Sequence, residues 1–147
     1  MGKNFYITFS LLLASISLVS CGGDFFNAKA DPVYDYKDFE NYKICHENVF
    51  FQAKSQYFVY IYSLRCGHCL AIKQDVLSYI LECKTPMYLL EYNENIKIAS
   101  NVTNTIGINN IEELYILGTP TLLKIEDKIL TLNVAGQDEV IEILKNS

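Results

Sequence analysis

Two cysteines separated by two residues are the part of this sequence best suited to chemistry. Cys66 and Cys69 enclose Gly67-His68. Thiols at this spacing close a small disulfide with little rearrangement of the chain, and paired cysteines of this type have shifted thiol pKa values. The spacing therefore predicts a redox centre that exchanges disulfides with other thiols.

The neighbouring residues predict how the two thiols are held. Residues 57–62 form a β-branched and aromatic run typical of a buried strand, and residues 63–65 form a short polar break. Apolar side chains then recur at helical spacing: Ile72, Val76, Tyr79, Ile80 and Cys83. Cys66 should therefore lie at a helix N-terminus, where free backbone N–H groups stabilise a thiolate. We expect Cys66 to attack, and Cys69, one turn further on, to be shielded and to resolve the mixed disulfide.

His68 stands between the two thiols. A partly positive imidazole beside the Cys66 sulfur would favour the thiolate, stabilise the dithiol and make the disulfide a stronger oxidant. Arg65 could add to the same positive field. The alternative is that His68 only occupies a solvated loop position.

The motif and a second, distant segment resemble the thioredoxin superfamily. Thr119-Pro120-Thr121 follows Gly118 and precedes the strand-like residues 122–125, where that family carries its cis-proline loop. The dipeptide between the cysteines is the one found in protein disulfide isomerases. The resemblance covers about residues 40–145 and implies catalytic Cys66 and Cys69, supported by Gly67, His68, Thr119 and Pro120.

The sequence departs from this family at two positions near the motif. Arg65 stands where the family usually has tryptophan, which implies a different docking surface. Tyr60 stands six residues before Cys66, where the family has a buried carboxylate that helps to deprotonate the resolving thiol. Either another group does this work here, or the resolving step is slow at neutral pH.

The rest of the chain predicts an alternation of strands and helices. Strands are expected at 42–45, 58–62 and 87–92, and a hairpin at 121–125 and 129–133 around a turn at 126–128. Helices are expected at 47–54, 69–82, 96–99, 110–115 and 138–144. This order predicts an α/β, thioredoxin-like three-layer fold, with a mixed central sheet flanked by helices on both faces.

The first residues resemble a bacterial lipoprotein signal. A short n-region with Lys3 precedes an apolar stretch at 5–19, which is short for a membrane span and leads into Leu18-Val19-Ser20-Cys21. The resemblance implies lipidation of Cys21 and cleavage before it. Residues 1–20 would be the signal peptide, 21–38 the lipid anchor and tether, and 39–147 the thioredoxin-like domain. An uncleaved anchor and an ordinary secretory peptide are the alternatives.

The charge of the chain restricts its partners. The 147 residues carry a formal net charge of −5 at pH 7, and removal of residues 1–20 takes away one lysine and no acid. This balance excludes nucleic-acid binding and disfavours electrostatic attachment to anionic lipid. Membrane attachment is therefore expected to come from a lipid on Cys21, palmitate among its acyl chains, at the extracytoplasmic face of the cell membrane.

Two cysteines remain after these assignments. Cys45 and Cys83 are either small core residues or, in an extracytoplasmic protein, a disulfide pair. A zinc site built from Cys66, Cys69 and Cys45-His46 is disfavoured because a second pair of ligands with matching spacing is missing. We expect no metal and no cofactor.

These features together predict a membrane-tethered extracytoplasmic thiol-disulfide oxidoreductase. Its partners would be thiols or disulfides of secreted or surface proteins, together with a membrane or soluble redox partner. Oxidase, reductase and isomerase activities share this motif. The alternative is an accessory or binding lipoprotein for secretion or transport, similar to the thioredoxin-fold accessory proteins of Gram-positive bacteria, in which redox activity is dispensable. A redox-inert structural lipoprotein is disfavoured by the intact pair of cysteines.

Overall fold

A computed structural model describes residues 32–82, 85–100 and 105–147. Its strands are β1 (Gln56–Tyr62), β2 (Met87–Glu91), β3 (Lys97–Ile98), β4 (Tyr115–Ile116), β5 (Thr121–Glu126) and β6 (Ile129–Ala135). Its α-helices are α1 (Gly67–Ala71), α2 (Lys73–Glu82) and α3 (Gln137–Lys145), and short 3-10 helices cover Tyr36–Tyr42, His46–Asn48 and Ile111–Glu113.

The central sheet is mixed and has the strand order β2-β1-β5-β6. Strand β1 runs parallel to β2 and antiparallel to β5, and β5 pairs with β6 as an antiparallel hairpin. The sheet thus combines a parallel β1–helix–β2 unit with the β5–β6 hairpin, which pairs with it through β1 and β5 and is followed by helix α3. This is the predicted thioredoxin-like fold.

The apolar run of β1 is explained by burial on both faces of the sheet. Six of its seven residues are buried, as expected for a central strand that is covered on both sides. Side chains alternate between two cores. One core contains Phe58, Tyr60 and Tyr62 and packs against α1, α2 and α3.

The second core lies on the opposite face of the sheet. It contains Tyr57, Val59 and Ile61 from β1. This core is covered by Ile116 of β4, by Ile111 of the third 3-10 helix and by residues next to these short elements, namely Val49, Phe50, Ile96 and Leu114. The described α-helices therefore lie on one face of the sheet. Helices were predicted on both faces, and on the second face the only described helices are of the 3-10 type.

Three local predictions are wrong. Residues 42–45 do not form a strand: the 3-10 helix Tyr36–Tyr42, capped by Asp35, is followed by an isolated bridge from Lys43 to Leu89. Residues 47–54 hold no helix beyond Asn48. Residues 96–99 contain β3 instead of a helix, because Lys97–Ile98 pairs with the distant Tyr115–Ile116, a partner that no local pattern reveals.

The other predicted elements are present with small shifts of their ends. The long helix begins at Gly67 and is interrupted at Ile72, whose φ of −103° and ψ of 8° leave the helical region between α1 and α2. The hairpin turn consists of Asp127 and Lys128, both with positive φ. Residues 110–115 contain the 3-10 helix Ile111–Glu113.

Residues 32–147 form one compact unit. Residues near the start of this unit already pack against the rest of it. The Tyr34 backbone makes two hydrogen bonds with the Gln74 side chain, and Tyr36 is buried. The signal peptide and most of the predicted tether, including Cys21, lie outside the described residues. Within the described residues, no helix has both the length and the apolar character to cross a membrane.

Candidate active site around Cys66 and Cys69

Cys66 lies where β1 passes into α1. Its backbone is extended, it caps the helix N-terminus, and its sulfur accepts a hydrogen bond from the backbone N–H of Cys69 at 3.2 Å. Its own N–H donates to the Ser63 carbonyl. The predicted position of Cys66 at a helix start is therefore confirmed, and the sulfur occupies the place of a capping oxygen.

The two thiols have opposite environments. Cys66 is partly exposed, whereas Cys69 is fully buried. Partial burial raises the pKa of Cys66, but hydrogen bonds from Cys69, from the Thr119 side chain and from the backbone N–H of His68 outweigh it and lower the pKa overall. Burial, followed by the hydrogen bond to Cys66, raises the pKa of Cys69 to about 11.

The loop before β5 closes the site over Cys66. The Thr119-Pro120 peptide bond is cis, as predicted. The Cys66 sulfur lies 3.2 Å from the Thr119 carbonyl oxygen, which accepts from the thiol. The Thr121 hydroxyl donates to the Gly118 carbonyl and fixes the turn. The loop that the resemblance named as support for the cysteines therefore contacts Cys66.

Beside the sulfur is an open groove of about 260 Å³. Its walls are Ser63, Arg65, Cys66, Tyr92, Ile98 and Thr119. Ile98 is 52% exposed, so an apolar surface lies close to the thiol whose pKa is lowered. Arg65 is exposed on this groove, and its contribution to the field at Cys66 remains a prediction.

His68 is exposed and turned toward helix α3. Its Nδ1 lies 3.0 Å from the Gln137 Oε1, and because an amide oxygen only accepts, Nδ1 carries the hydrogen. The contribution of residue 68 to the lower Cys66 pKa comes through its backbone N–H. No local pattern points to Gln137, because it lies 69 residues from its partner. Gly67 is exposed, and a Cβ added there would meet no atom within 4 Å.

Tyr60 occupies the position where the resemblance implied a carboxylate. It is fully buried in the same core as Cys69 and Tyr36. Burial, followed by the charges of Tyr36 and Cys69, raises the pKa of Tyr60 far above its usual value. Among the described residues, its hydroxyl has no hydrogen-bond partner of good geometry. The sequence singled out Tyr60 but not Tyr36.

The remaining cysteines are not part of this site as described. Cys45 is exposed, so its predicted placement as a core residue is wrong; it lies next to His46, whose Nδ1 lies 3.1 Å from Glu47. Cys83 lies outside the described residues, so a Cys45–Cys83 disulfide stays a prediction. Among the residues that the structure describes, no group of three His, Cys, Asp or Glu side chains could hold a metal ion.

Comparisons with known proteins give structural neighbours only. Neither a protein-family model nor the sequence of a curated protein matches the chain. Thioredoxin f2 of Chlamydomonas reinhardtii matches with 15% identity and a TM-score of 0.47, over 71% of this chain and 93% of that chain.

Two further thioredoxins are similar to the same extent. Thioredoxin f from spinach chloroplast, in a short form, has 15% identity and a TM-score of 0.49, over 71% of this chain and 89% of its own. Mitochondrial thioredoxin 3 from Saccharomyces cerevisiae, in its oxidized form, has 12% identity and a TM-score of 0.46, over 71% and 93%. At these scores, the strand order and pairing of the sheet itself define the fold class.

Proposed function

We propose that this protein is a thiol-disulfide oxidoreductase that acts on cysteines of other proteins through Cys66 and Cys69. The observation that carries the proposal is the contrast between the two thiols. Cys66 is partly exposed at a helix start with a lowered pKa, and Cys69 is buried behind it with a raised pKa. Cys66 is suited to attack a substrate, and Cys69 is shielded from solvent and suited to resolve the mixed disulfide.

The exchange proceeds in two balanced steps. The Cys66 thiolate attacks one sulfur of a substrate disulfide, so that a mixed disulfide forms and the other substrate sulfur leaves as a thiolate. Cys69, after losing its proton to water, then attacks the Cys66 sulfur and releases the second substrate sulfur. The protein dithiol is oxidised by two electrons and the substrate disulfide is reduced; the reverse sequence oxidises a substrate dithiol.

The loop at Thr119 supports a polypeptide substrate. Its carbonyl lies 3.2 Å from the Cys66 sulfur, and the neighbouring groove is open and partly apolar. An extended chain placed in that groove would bring a cysteine next to Cys66. Backbone hydrogen bonds would then position the substrate, so many different sequences could be accepted.

The test is to trap the mixed disulfide. Cys69→Ser removes the resolving thiol, so adducts between Cys66 and extracytoplasmic proteins should accumulate on a non-reducing gel and vanish on reduction. Cys66→Ser with Cys69→Ser should trap nothing. Because Cys45 is an exposed thiol, both variants are also made with Cys45→Ser, and adducts that disappear with Cys45 are not counted.

The outcome separates the enzyme from the alternative. If Cys69→Ser traps no protein during oxidising growth, and the variant lacking Cys66 and Cys69 still supports the biological role, the exchange function is refuted. An accessory or binding function in secretion or transport would then replace it.

We also propose that the enzyme is held at the extracytoplasmic face of the cell membrane by a lipid on Cys21. The support is the sequence pattern Leu18-Val19-Ser20-Cys21 and its position after a short apolar segment. Tethering would keep the thiols near secreted or surface proteins and near a membrane or soluble redox partner.

A further inference from the structure

Three buried tyrosines lie behind the two cysteines. Tyr60 and Tyr62 project from the same face of β1, and Tyr36 comes from the first 3-10 helix. The rings of Tyr36 and Tyr62 stack with centroids 3.8 Å apart, and those of Tyr60 and Tyr62 lie 6.1 Å apart and nearly parallel. This stack fixes the orientation of the Tyr60 ring.

The Tyr60 hydroxyl is a buried donor within interaction range of the Tyr36 hydroxyl and the Cys69 thiol. It makes no hydrogen bond of good geometry to any residue described, although Tyr60 is fully buried. An unpartnered buried hydroxyl is costly and calls for a function. Cys69 belongs to the same core and is also fully buried.

The other groups around Cys69 include no carboxylate or cation that acts on it directly. The backbone at Ser63 and the Thr119 side chain favour the thiolate by hydrogen bonding, whereas burial and Cys66, at the cap of α1, disfavour it, and the pKa is raised overall. From β1 and the first 3-10 helix it faces Tyr60 and Tyr36. The nearby charged pair is Lys73 with Asp35, and the Lys73 Nζ lies over the Tyr36 ring, 5.9 Å from its centroid.

We propose that the Tyr60 hydroxyl, backed by Tyr36, is the positioning group that donates a hydrogen bond to the Cys69 thiolate during the resolving step. This inference rests on the proposed exchange function. A phenol that stays protonated serves as a donor at every physiological pH but does not take up the Cys69 proton, which passes to water. Tyr60 thus stabilises the anion and is not a base.

The step itself is the second half of the exchange. In the mixed disulfide, the Cys69 thiolate attacks the Cys66 sulfur, the bond between Cys66 and the substrate sulfur breaks, and the substrate leaves as a thiolate. In the reverse direction Cys69 is the leaving group. Tyr60 assists in both directions, because in each the negative charge resides on the Cys69 sulfur.

The test separates the resolving step from the attacking step in one protein. A chromogenic aromatic disulfide is added to the reduced protein, in which Cys45→Ser removes an exposed thiol throughout this test, and the first and second equivalents of released aromatic thiolate are followed at pH 6 to 9. The first release reports attack by Cys66 and the second reports attack by Cys69. Tyr60→Phe should slow the second release by about tenfold and leave the first unchanged.

A matched control lies on the same strand and face. Tyr62→Phe removes an equally buried hydroxyl, but the groups that act on Tyr62 are Lys43, Glu91 and Glu40 rather than Cys69. It should leave both releases unchanged. Tyr36→Phe should slow the second release less than Tyr60→Phe does, and it replaces that variant if Tyr60→Phe does not fold.

A second readout does not depend on exchange. In Cys66→Ser protein labelled with ¹³C at cysteine Cβ, the Cys69 signal reports its ionisation. Tyr60→Phe should shift that titration to higher pH, and Tyr62→Phe should not. An unchanged titration and an unchanged second release would overturn the role of Tyr60. A wild-type protein that releases no thiolate would instead overturn the proposed function, with the titration still deciding the role of Tyr60.

Discussion

At the scale of single residues, the site places two chemically identical side chains in different environments. The capping position gives Cys66 a backbone N–H donor, whereas Cys69 is buried one turn further along. A donor stabilises the thiolate and burial destabilises it. Position within one helical turn therefore gives the two thiols opposite pKa shifts.

The first prediction concerns alkylation of the reduced protein. Only thiolates react, so each rate rises with pH up to the pKa and levels off above it. The midpoint for Cys66 should lie below pH 9 and that for Cys69 near pH 11. At pH 7, Cys66 should therefore react at least about 100-fold faster than Cys69, as measured by peptide-resolved mass spectrometry.

Unfolding provides the control for this comparison. In concentrated urea both cysteines lose their environments and should react at similar rates. Equal rates in the folded protein would contradict the contrast between the thiols.

The second prediction concerns His68, which acts on Cys66 through its backbone N–H. His68→Pro removes both the imidazole and that N–H, whereas His68→Ala removes only the imidazole. Proline is tolerated in the first turn of a helix. We expect His68→Pro to move the reduction potential of the Cys66–Cys69 couple toward more reducing values by about 30 mV, and His68→Ala to move it less.

The relation between the two variants decides which group matters. Equal shifts would assign the effect to the imidazole alone. No shift, or a shift to more oxidising values, would contradict electrostatic stabilisation of Cys66 by this residue. The measurement is equilibration with a glutathione buffer.

At the scale of elements, the β5–β6 hairpin has a tight turn in which one residue is not the type that this turn favours. Asp127 and Lys128 form a two-residue turn between the paired Glu126 and Ile129, with φ of 48° and 68°. Turns of this kind favour glycine at the second position. Lysine in this region is strained by about 1–2 kcal/mol.

The third prediction follows from that strain. Lys128→Gly should raise the free energy of unfolding by about 0.5–1 kcal/mol, because relief of the strain exceeds the added entropy of the unfolded chain. Lys145→Gly, the same change in helix α3, should lower it. Urea denaturation monitors both. A loss of stability in Lys128→Gly would show that the lysine side chain stabilises the turn.

At the scale of the whole molecule, the fourth prediction concerns the tether. Cys21→Ala should abolish lipidation and move the protein from the membrane fraction to precursor or soluble forms. The reason is that residues 22–147 contain no apolar run of about 20 residues. Fractionation after alkaline washing, with gel mobility and lipid labelling, measures this. Unchanged mobility and retention in the membrane would refute lipidation at Cys21.

The sequence by itself identified the two candidate thiols and the central part of the fold. Strand β1, the polar break and the start of α1 are local patterns in consecutive residues. Cys66 therefore had to cap a helix, with Cys69 one turn behind it. The β5–β6 hairpin and α3 were predictable for the same reason, because alternation, turn residues and helical spacing act over a few residues.

Tertiary structure decided how distant groups complete the site. The resemblance named Thr119, but only the fold shows its carbonyl in contact with Cys66 across 53 residues, and Gln137 in contact with His68 across 69 residues. Tyr36 joins Tyr60 and Cys69 in one core, and β3 exists only because β4 pairs with it. Such contacts depend on the packing of elements remote in sequence, which no local pattern of residues encodes.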